Sequence, residues 1–178
     1  MPSIEYTSSI TPFGELLLAA TDEGIVALGF GNTEIELTQW LKSEFPGHHL
    51  ERDDAGLQAS LAEALETLDG DGGTMLPLAA HGTEFQRRVW ETLRQIPYGA
   101  TRTYTQLAAM IGRPHAVRAV ASACANNPIS LLVPCHRVVG ADGSLRGYRW
   151  GLERKRRLLE HERQIVLSGR RAGMCFSA

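Results

Sequence analysis

Apolar and polar positions along the chain first follow a strand-like rhythm and then a helical one. Residues 3–10, 14–20 and 25–30 are apolar and β-branched stretches separated by Thr-Pro-Phe-Gly and Thr-Asp-Glu-Gly. Three strands in an antiparallel meander are predicted there. Over 33–45, Ile35, Leu37, Trp40, Leu41 and Phe45 form a helical stripe that Pro46-Gly47 ends. A second helix, about 56–68, carries Leu57, Leu61, Leu65 and Leu68. Asp69-Gly-Asp-Gly-Gly-Thr then breaks the pattern and suits a domain boundary.

Beyond the break the period is helical. Thr83-Glu-Phe-Gln opens a helix with Phe85, Val89, Trp90 and Leu93 toward a core, and Pro97-Tyr-Gly ends it. A short capped helix follows from Thr103, with Leu107, Ala108 and Ile111 inward and Gly112 as its C-terminal cap. A three-residue turn, Arg113-Pro-His, leads to a third helix over 116–125. Helix, tight turn, helix is the layout of a helix-turn-helix, which any packed helical corner also resembles. The third helix is made of small residues with one Arg118. That suits close packing, or close approach to a DNA groove without reading sequence.

Composition adds exclusions. Hydrophobic residues make up 43% and charged ones 21%, an ordinary soluble mix. No apolar run is long enough to span a bilayer, and the first residues lack the basic start and apolar stretch of a signal peptide. A cytoplasmic protein without membrane contact is expected. The net charge of −2 hides an asymmetry. Residues 1–80 hold 2 basic and 14 acidic side chains, and residues 81–178 hold 16 basic and 6 acidic. A basic half of this kind points to a nucleic-acid partner or to unevenly solvated faces. Three cysteines, Cys124, Cys135 and Cys175, with no Cys-x-x-Cys pair, argue for reduced thiols.

One segment carries chemistry. Leu131-Leu-Val-Pro-Cys-His-Arg-Val-Val-Gly sets a thiol, an imidazole and a guanidinium inside an apolar run. Burying such groups costs free energy unless they are paired, so their polarity needs a reason. His136 is placed to serve Cys135 as a base through one water, because adjacent side chains seldom face each other. Glu153, Glu160 and Glu162 on the final helix are candidates to orient that imidazole.

Val133-Pro-Cys-His-Arg-Val-Val resembles the active-site signature of the O6-alkylguanine-DNA alkyltransferases, and the likeness runs from about residue 82 to 162. Ala116-Val-Arg-Ala-Val-Ala-Ser-Ala-Cys-Ala and Gly147-Tyr-Arg-Trp-Gly resemble especially the alkyltransferase part of Ada-like members. The resemblance implies an α+β chain. A small N-terminal ribonuclease H-like α/β domain with antiparallel strands would occupy 1–77. A mainly helical domain with a winged or helix-turn-helix DNA-binding motif would occupy 78–165, followed by a tail over 166–178.

It also implies a stoichiometric methylated-DNA–[protein]-cysteine S-methyltransferase. Such a protein flips O6-alkylguanine, with O4-alkylthymine as a further candidate, out of duplex DNA and keeps the alkyl group on Cys135. In that assignment His136 deprotonates the thiol through water and Glu162 orients His136. Asn127 is the hinge between the helix-turn-helix and an active-site strand, and Tyr104 faces the flipped nucleotide. Arg118 fills the vacated stack, and the carbonyls of Cys135 and Val138 accept from the guanine amine. Tyr148 lines the pocket. The Arg149 backbone N–H is the expected donor to guanine O6, because Arg149 and Trp150 stand where some members have a small residue and a glycine. This bulkier loop is expected to disfavour large adducts such as benzyl.

No cofactor is implied. No metal is expected, since residues 1–80 have no Cys and only His48 and His49. The expected partner is double-stranded DNA containing the lesion, met by a monomer. The alternatives are an Ada-related lesion-sensing regulator, a DNA-binding module without transfer, and a cysteine hydrolase. Cys124 reads as a packed helix residue and Cys175 as a loose tail thiol. The basic run Arg154-Lys-Arg-Arg reads as part of the DNA-facing half, with the acidic half turned away as a brace.

Overall fold

The computed structural model describes residues 3–70 and 75–169. Cys175, the tail beyond residue 169 and part of the glycine-rich loop lie outside the described residues. The meander forms as read: β1 (Ser3–Thr11), β2 (Gly14–Thr21) and β3 (Gly24–Gly31) pair antiparallel in sequence order. A fourth strand was not anticipated. β4 (His49–Arg52) lies parallel to β1, giving the order β3-β2-β1-β4. It is four residues long and mostly exposed, so it carries no apolar alternation to read.

Helix α1 (Glu34–Glu44) and helix α2 (Asp54–Glu66) pack on this sheet. Thr33 and Asp53 cap them by accepting from the Glu36 and Gly56 backbone N–H groups. In α1 only Leu37 and Leu41 of the expected stripe are buried. Ile35 is exposed, and Trp40 turns toward the other half of the molecule.

Helix α3 (Glu84–Leu93) begins at a capping box between Thr83 and Gln86, and α4 (Tyr104–Met110) at one between Thr103 and Gln106. Helix α4 ends in a Schellman motif. Gly112 (φ +72°) donates to the Ala109 carbonyl and Arg113 to the Ala108 carbonyl. The left-handed glycine turns the chain into α5 (Val117–Ala125). Helix α3 braces this pair from behind, its Trp90 Nε1 donating to the Ala123 carbonyl at 2.9 Å. Helix α6 (Leu152–Leu167) is the last element among the described residues and continues two residues into the stretch read as tail.

The two halves are joined through the outer edge of β3. Ile25 N–H donates to the Pro77 carbonyl and Ala79 N–H to the Ile25 carbonyl, each at 2.8 Å. Farther along, Leu28 N–H donates to the Pro128 carbonyl at 2.9 Å and Ser130 N–H to the Leu28 carbonyl at 2.7 Å. The second pairing fixes the segment that leads from α5 to Cys135. The N-terminal sheet therefore positions the thiol through backbone hydrogen bonds.

Candidate functional site

The expected active-site strand is instead a 3-10 turn over Cys135–Arg137, followed by the two-residue strand β6 (Val138–Val139). Strand β6 pairs parallel with β5 (Arg102–Thr103). On the approach, Leu131 adopts φ +64°, a left-handed conformation costly for a branched side chain. It reverses the chain between two groups that must meet. Asn127, buried, donates from Nδ2 to the Val133 carbonyl at 2.8 Å and lies 3.2 Å from Cys135 Sγ. Its Oδ1 accepts from Ile129 N–H at 3.0 Å. One amide thus ties the end of the helix-turn-helix to the thiol.

Of the three carboxylate candidates, Glu162 alone reaches His136, with Oε1 2.7 Å from Nε2. Glu153 and Glu160 lie on the exposed side of α6 and pair locally with Arg156 and Arg163. Burial would push the Glu162 carboxyl up, but hydrogen bonds from His136 and Arg137 hold it down at about 2. Burial pushes His136 down, and the Arg137 guanidinium adds to this against the pull of Glu162. That direction favours the neutral imidazole, which beside a carboxylate donates from Nε2–H to Glu162. Nδ1 is buried without a hydrogen-bond partner among the described residues. Burial also pushes the Cys135 thiol up, opposed first by the Asn127 amide and then by the Lys155 ammonium. At rest the thiol is protonated.

A cavity of about 280 Å³ opens onto this thiol. Tyr104, Arg118, Cys124, Cys135 and Tyr148 are among its lining residues, together with Gly147. Tyr104 Oη donates to the Arg146 carbonyl at 3.0 Å, and Tyr148 Oη shares a hydrogen bond of 2.8 Å with Ser130 Oγ. Burial pushes the Tyr104 phenol up to about 12 and raises Tyr148 as well, so both stay protonated donors. Arg118 is exposed at the cavity's edge. Val138 is buried in β6 and outside the lining, so its assigned role rests on its carbonyl alone.

Arg149 and Trp150 depart from the expected bulky loop. The Arg149 guanidinium pairs with Glu44 of α1 and stacks over Trp40 and Trp150, and the two indoles meet edge to face at 4.7 Å. Both side chains face the N-terminal half and neither lines the cavity. The steric ground for excluding a benzyl adduct is therefore absent.

The basic run of α6 also differs from its reading as DNA-facing. Arg154 donates to the Phe13 carbonyl at 2.6 Å, Arg157 donates to the Pro12 carbonyl, and Arg156 pairs with Glu153. Arg154 and Arg157 therefore lock the N-terminal half to the helix.

Sequence reasoning missed several members of the site. Lys155 is fully buried, donating to the Arg146 and Gly147 carbonyls at 2.8 and 3.3 Å, with its ammonium 5.9 Å from the Tyr104 ring centre. Its signal was a lysine amid a charged run, which looks like solvated surface. Ser130 gave no signal at all. Cys124, read as packing, is buried and also faces the cavity. Among the described residues no group of three His, Cys, Asp or Glu side chains is placed to hold a metal ion.

Comparison with known proteins places this geometry. Residues 4–69 match the ribonuclease-like domain of 6-O-methylguanine DNA methyltransferase, and residues 84–164 match its DNA binding domain. The chain belongs to the 6-O-methylguanine DNA methyltransferase family. Within this family it is 43% identical over 161 residues to the bifunctional transcriptional activator/DNA repair enzyme Ada of Escherichia coli, covering 90% of this chain and 46% of Ada. The chain thus spans about half the length of that relative. It is also 43% identical to the inducible methylated-DNA–protein-cysteine methyltransferase of Bacillus subtilis, covering 83% of each. The structure of Mycobacterium tuberculosis OGT in complex with DNA superposes with a TM-score of 0.74 at 36% identity. That match covers 90% of this methyltransferase-family chain and 94% of OGT. The fold is the family's pairing of a sheet domain with a helical DNA-binding domain.

Proposed function

We propose that the chain repairs O6-alkylguanine in double-stranded DNA by a single, irreversible alkyl transfer to Cys135. The carrying observation is the Cys135 thiol in the wall of a small cavity, with a Glu162–His136 pair behind it and Arg118 at its edge. The alkyl carbon of a stacked base is out of line for a thiol fixed in a pocket, so the nucleotide leaves the helix first. Helix α5 approaches the minor groove. Its exposed or half-buried residues Val117, Ala119 and Ala121 are small, and Arg118 occupies the place the base vacates. Tyr104 and Tyr148 meet the extruded base.

His136 Nδ1 then takes the thiol proton through one water, and Glu162 stabilises the resulting imidazolium. The sulfur attacks the alkyl carbon, the carbon–O6 bond breaks, and its electron pair returns to guanine, which takes up a proton. The thioether has no route back to a thiol, so each molecule acts once. O4-alkylthymine is a second substrate on the same chemistry. Among the described residues no helix is long and apolar enough to cross a membrane. The setting proposed is cytoplasmic.

Lesion counting tests this reading. Duplex DNA carrying O6-methylguanine, in excess over protein, should lose one lesion per protein molecule and no more. Continued turnover, or no loss of lesion at any ratio, would overturn it.

A further inference from the structure

Glu162 receives more hydrogen bonds than the orientation of one imidazole requires. His136 Nε2 lies 2.7 Å from Oε1. Arg137 donates from Nε to both carboxylate oxygens, at 3.1 and 3.0 Å, and from Nη2 to Oε1 at 2.9 Å. Gly99 N–H donates to Oε2 at 2.9 Å. Arg137 is itself fixed: Nη1 donates to the Ile96 carbonyl at 2.8 Å, and the guanidinium lies 5.3 Å from the Tyr98 ring centre. Two planar ions thus meet side-on in a largely buried place, the arrangement that suits a guanidinium and not an ammonium.

We propose that Arg137 is a positioning residue of the transfer reaction: by neutralising Glu162 it keeps His136 as the neutral Nε2–H tautomer, with Nδ1 open to the thiol proton. This rests on the reading of Cys135 as acceptor. The charged groups that act on His136 are Glu162 and Lys155 from α6 and Arg137 from its own turn. Arg137 cancels the one negative charge among them, and Lys155 acts in the same sense as Arg137.

Without Arg137 the imidazole would face a buried carboxylate held only by the Gly99 N–H, and the pair would take up a further proton at a higher pH than it does with Arg137 present. That proton has two homes. Either His136 becomes an imidazolium, or Glu162 becomes a carboxylic acid donating to Nε2 while the imidazole carries its hydrogen on Nδ1. Both states close Nδ1 to the thiol, so the conclusion does not depend on how the pair divides the proton. The arrangement also suits an acceptor that reacts once. A thiolate held ready against an imidazolium would be consumed by any passing electrophile. A neutral thiol beside a neutral base is lost to such electrophiles more slowly.

The test uses the full chain with Arg137→Gln and Arg137→Lys. Single-turnover methyl transfer from an O6-methylguanine duplex is measured from pH 5 to 9. The His136 imidazole is titrated by nitrogen NMR in the absence of DNA. An unneutralised carboxylate at this range shifts a neighbouring imidazole by about 1–3 units. Arg137→Gln should therefore move the acid limb of the rate profile upward by at least about one unit. Transfer at pH 6 should fall about tenfold or more and recover at pH 9. Arg137→Lys, which keeps the charge without the two-pronged contact, should shift the limb less than Arg137→Gln does. An equal fall at every pH, or an unshifted His136 titration, would overturn the proposal. The wild-type NMR arm stands even where a variant fails to fold: a neutral Nε2–H tautomer at pH 6 supports the proposal, and an imidazolium at pH 7 overturns it. A wild-type chain that transfers no methyl defeats the functional reading instead, and the NMR arm still decides the role of Arg137.

Discussion

Replacing Asn127 by alanine removes a side chain that joins the end of the helix-turn-helix to the thiol, and its cost follows from three contacts. Ile129 N–H, in a fully buried residue, loses Asn127 Oδ1 at 3.0 Å and is left without that partner. The Val133 carbonyl loses the Nδ2 bond of 2.8 Å but keeps one from the Cys135 backbone N–H, also at 2.8 Å. An orphaned buried donor costs about 1–3 kcal/mol and one lost hydrogen bond about 1 kcal/mol, so the variant should lose about 2–4 kcal/mol. For a chain of this size that lowers Tm by roughly 4–16 °C. The third contact is to Sγ at 3.2 Å, where the amide opposes the burial that pushes the thiol up. Without it the native thiol should react more slowly with iodoacetamide at a fixed pH. Guanidinium unfolding and native-state alkylation of Cys135 read the two effects separately. A stability loss below about 0.5 kcal/mol together with unchanged thiol reactivity would refute the role given to Asn127.

Three further outcomes follow from the same structure. In Gly29→Ala the new Cβ would lie 2.5 Å from the Trp150 ring and 2.8 Å from Trp40. The joint between the halves should lose about 1–3 kcal/mol in a denaturant melt, and a neutral result would remove the Trp40–Trp150 contact as a structural joint. Glu162 is held at about 2 against an ordinary 4.5, so the stability it contributes is present above about pH 4.5 and is lost as pH falls toward 2. That loss is on the order of 3 kcal/mol; Glu162→Gln should flatten the acid limb of the stability profile, whereas two parallel curves would contradict the assignment. Arg118→Ala should slow transfer on a duplex at least about tenfold, the equivalent of roughly 1.4 kcal/mol, yet leave reaction with free O6-alkylguanine base near wild type. Equal slowing of both would move Arg118 from base replacement to general binding.

The meander, the helix starts at Thr83 and Thr103 and the glycine-ended turn between α4 and α5 were legible because each is a local pattern with a local cause. The Cys135–His136 pair was legible because polar groups in an apolar run demand partners. The residues alone narrowed its carboxylate to three candidates and the family resemblance pointed to Glu162; the helical phase of α6 against the Cys135–Arg137 turn is what brings Glu162 to His136. Strand β4 left no trace, since an exposed edge strand has no apolar face to repeat. The charged run at the start of α6 misled for a related reason. Arg154 and Arg157 satisfy backbone carbonyls more than 120 residues away, and no spacing rule reports such partners. Arg149 and Trp150 were read as walls of the pocket because they follow Tyr148. Their side chains turn the other way because Gly29, which has no Cβ, leaves room for the Trp150 ring on the sheet.

The central claim is that Cys135, and no other group, keeps the alkyl carbon. Peptide mass mapping after reaction with a duplex carrying isotopically labelled O6-methylguanine tests it most directly. The account predicts one labelled methyl per molecule, on the peptide containing Cys135, with Cys124 unmodified although it faces the same cavity. Cys135→Ala should bind the duplex and take no label. Label on Cys124 or on any other residue, or a labelled Cys135→Ala protein, would contradict the account.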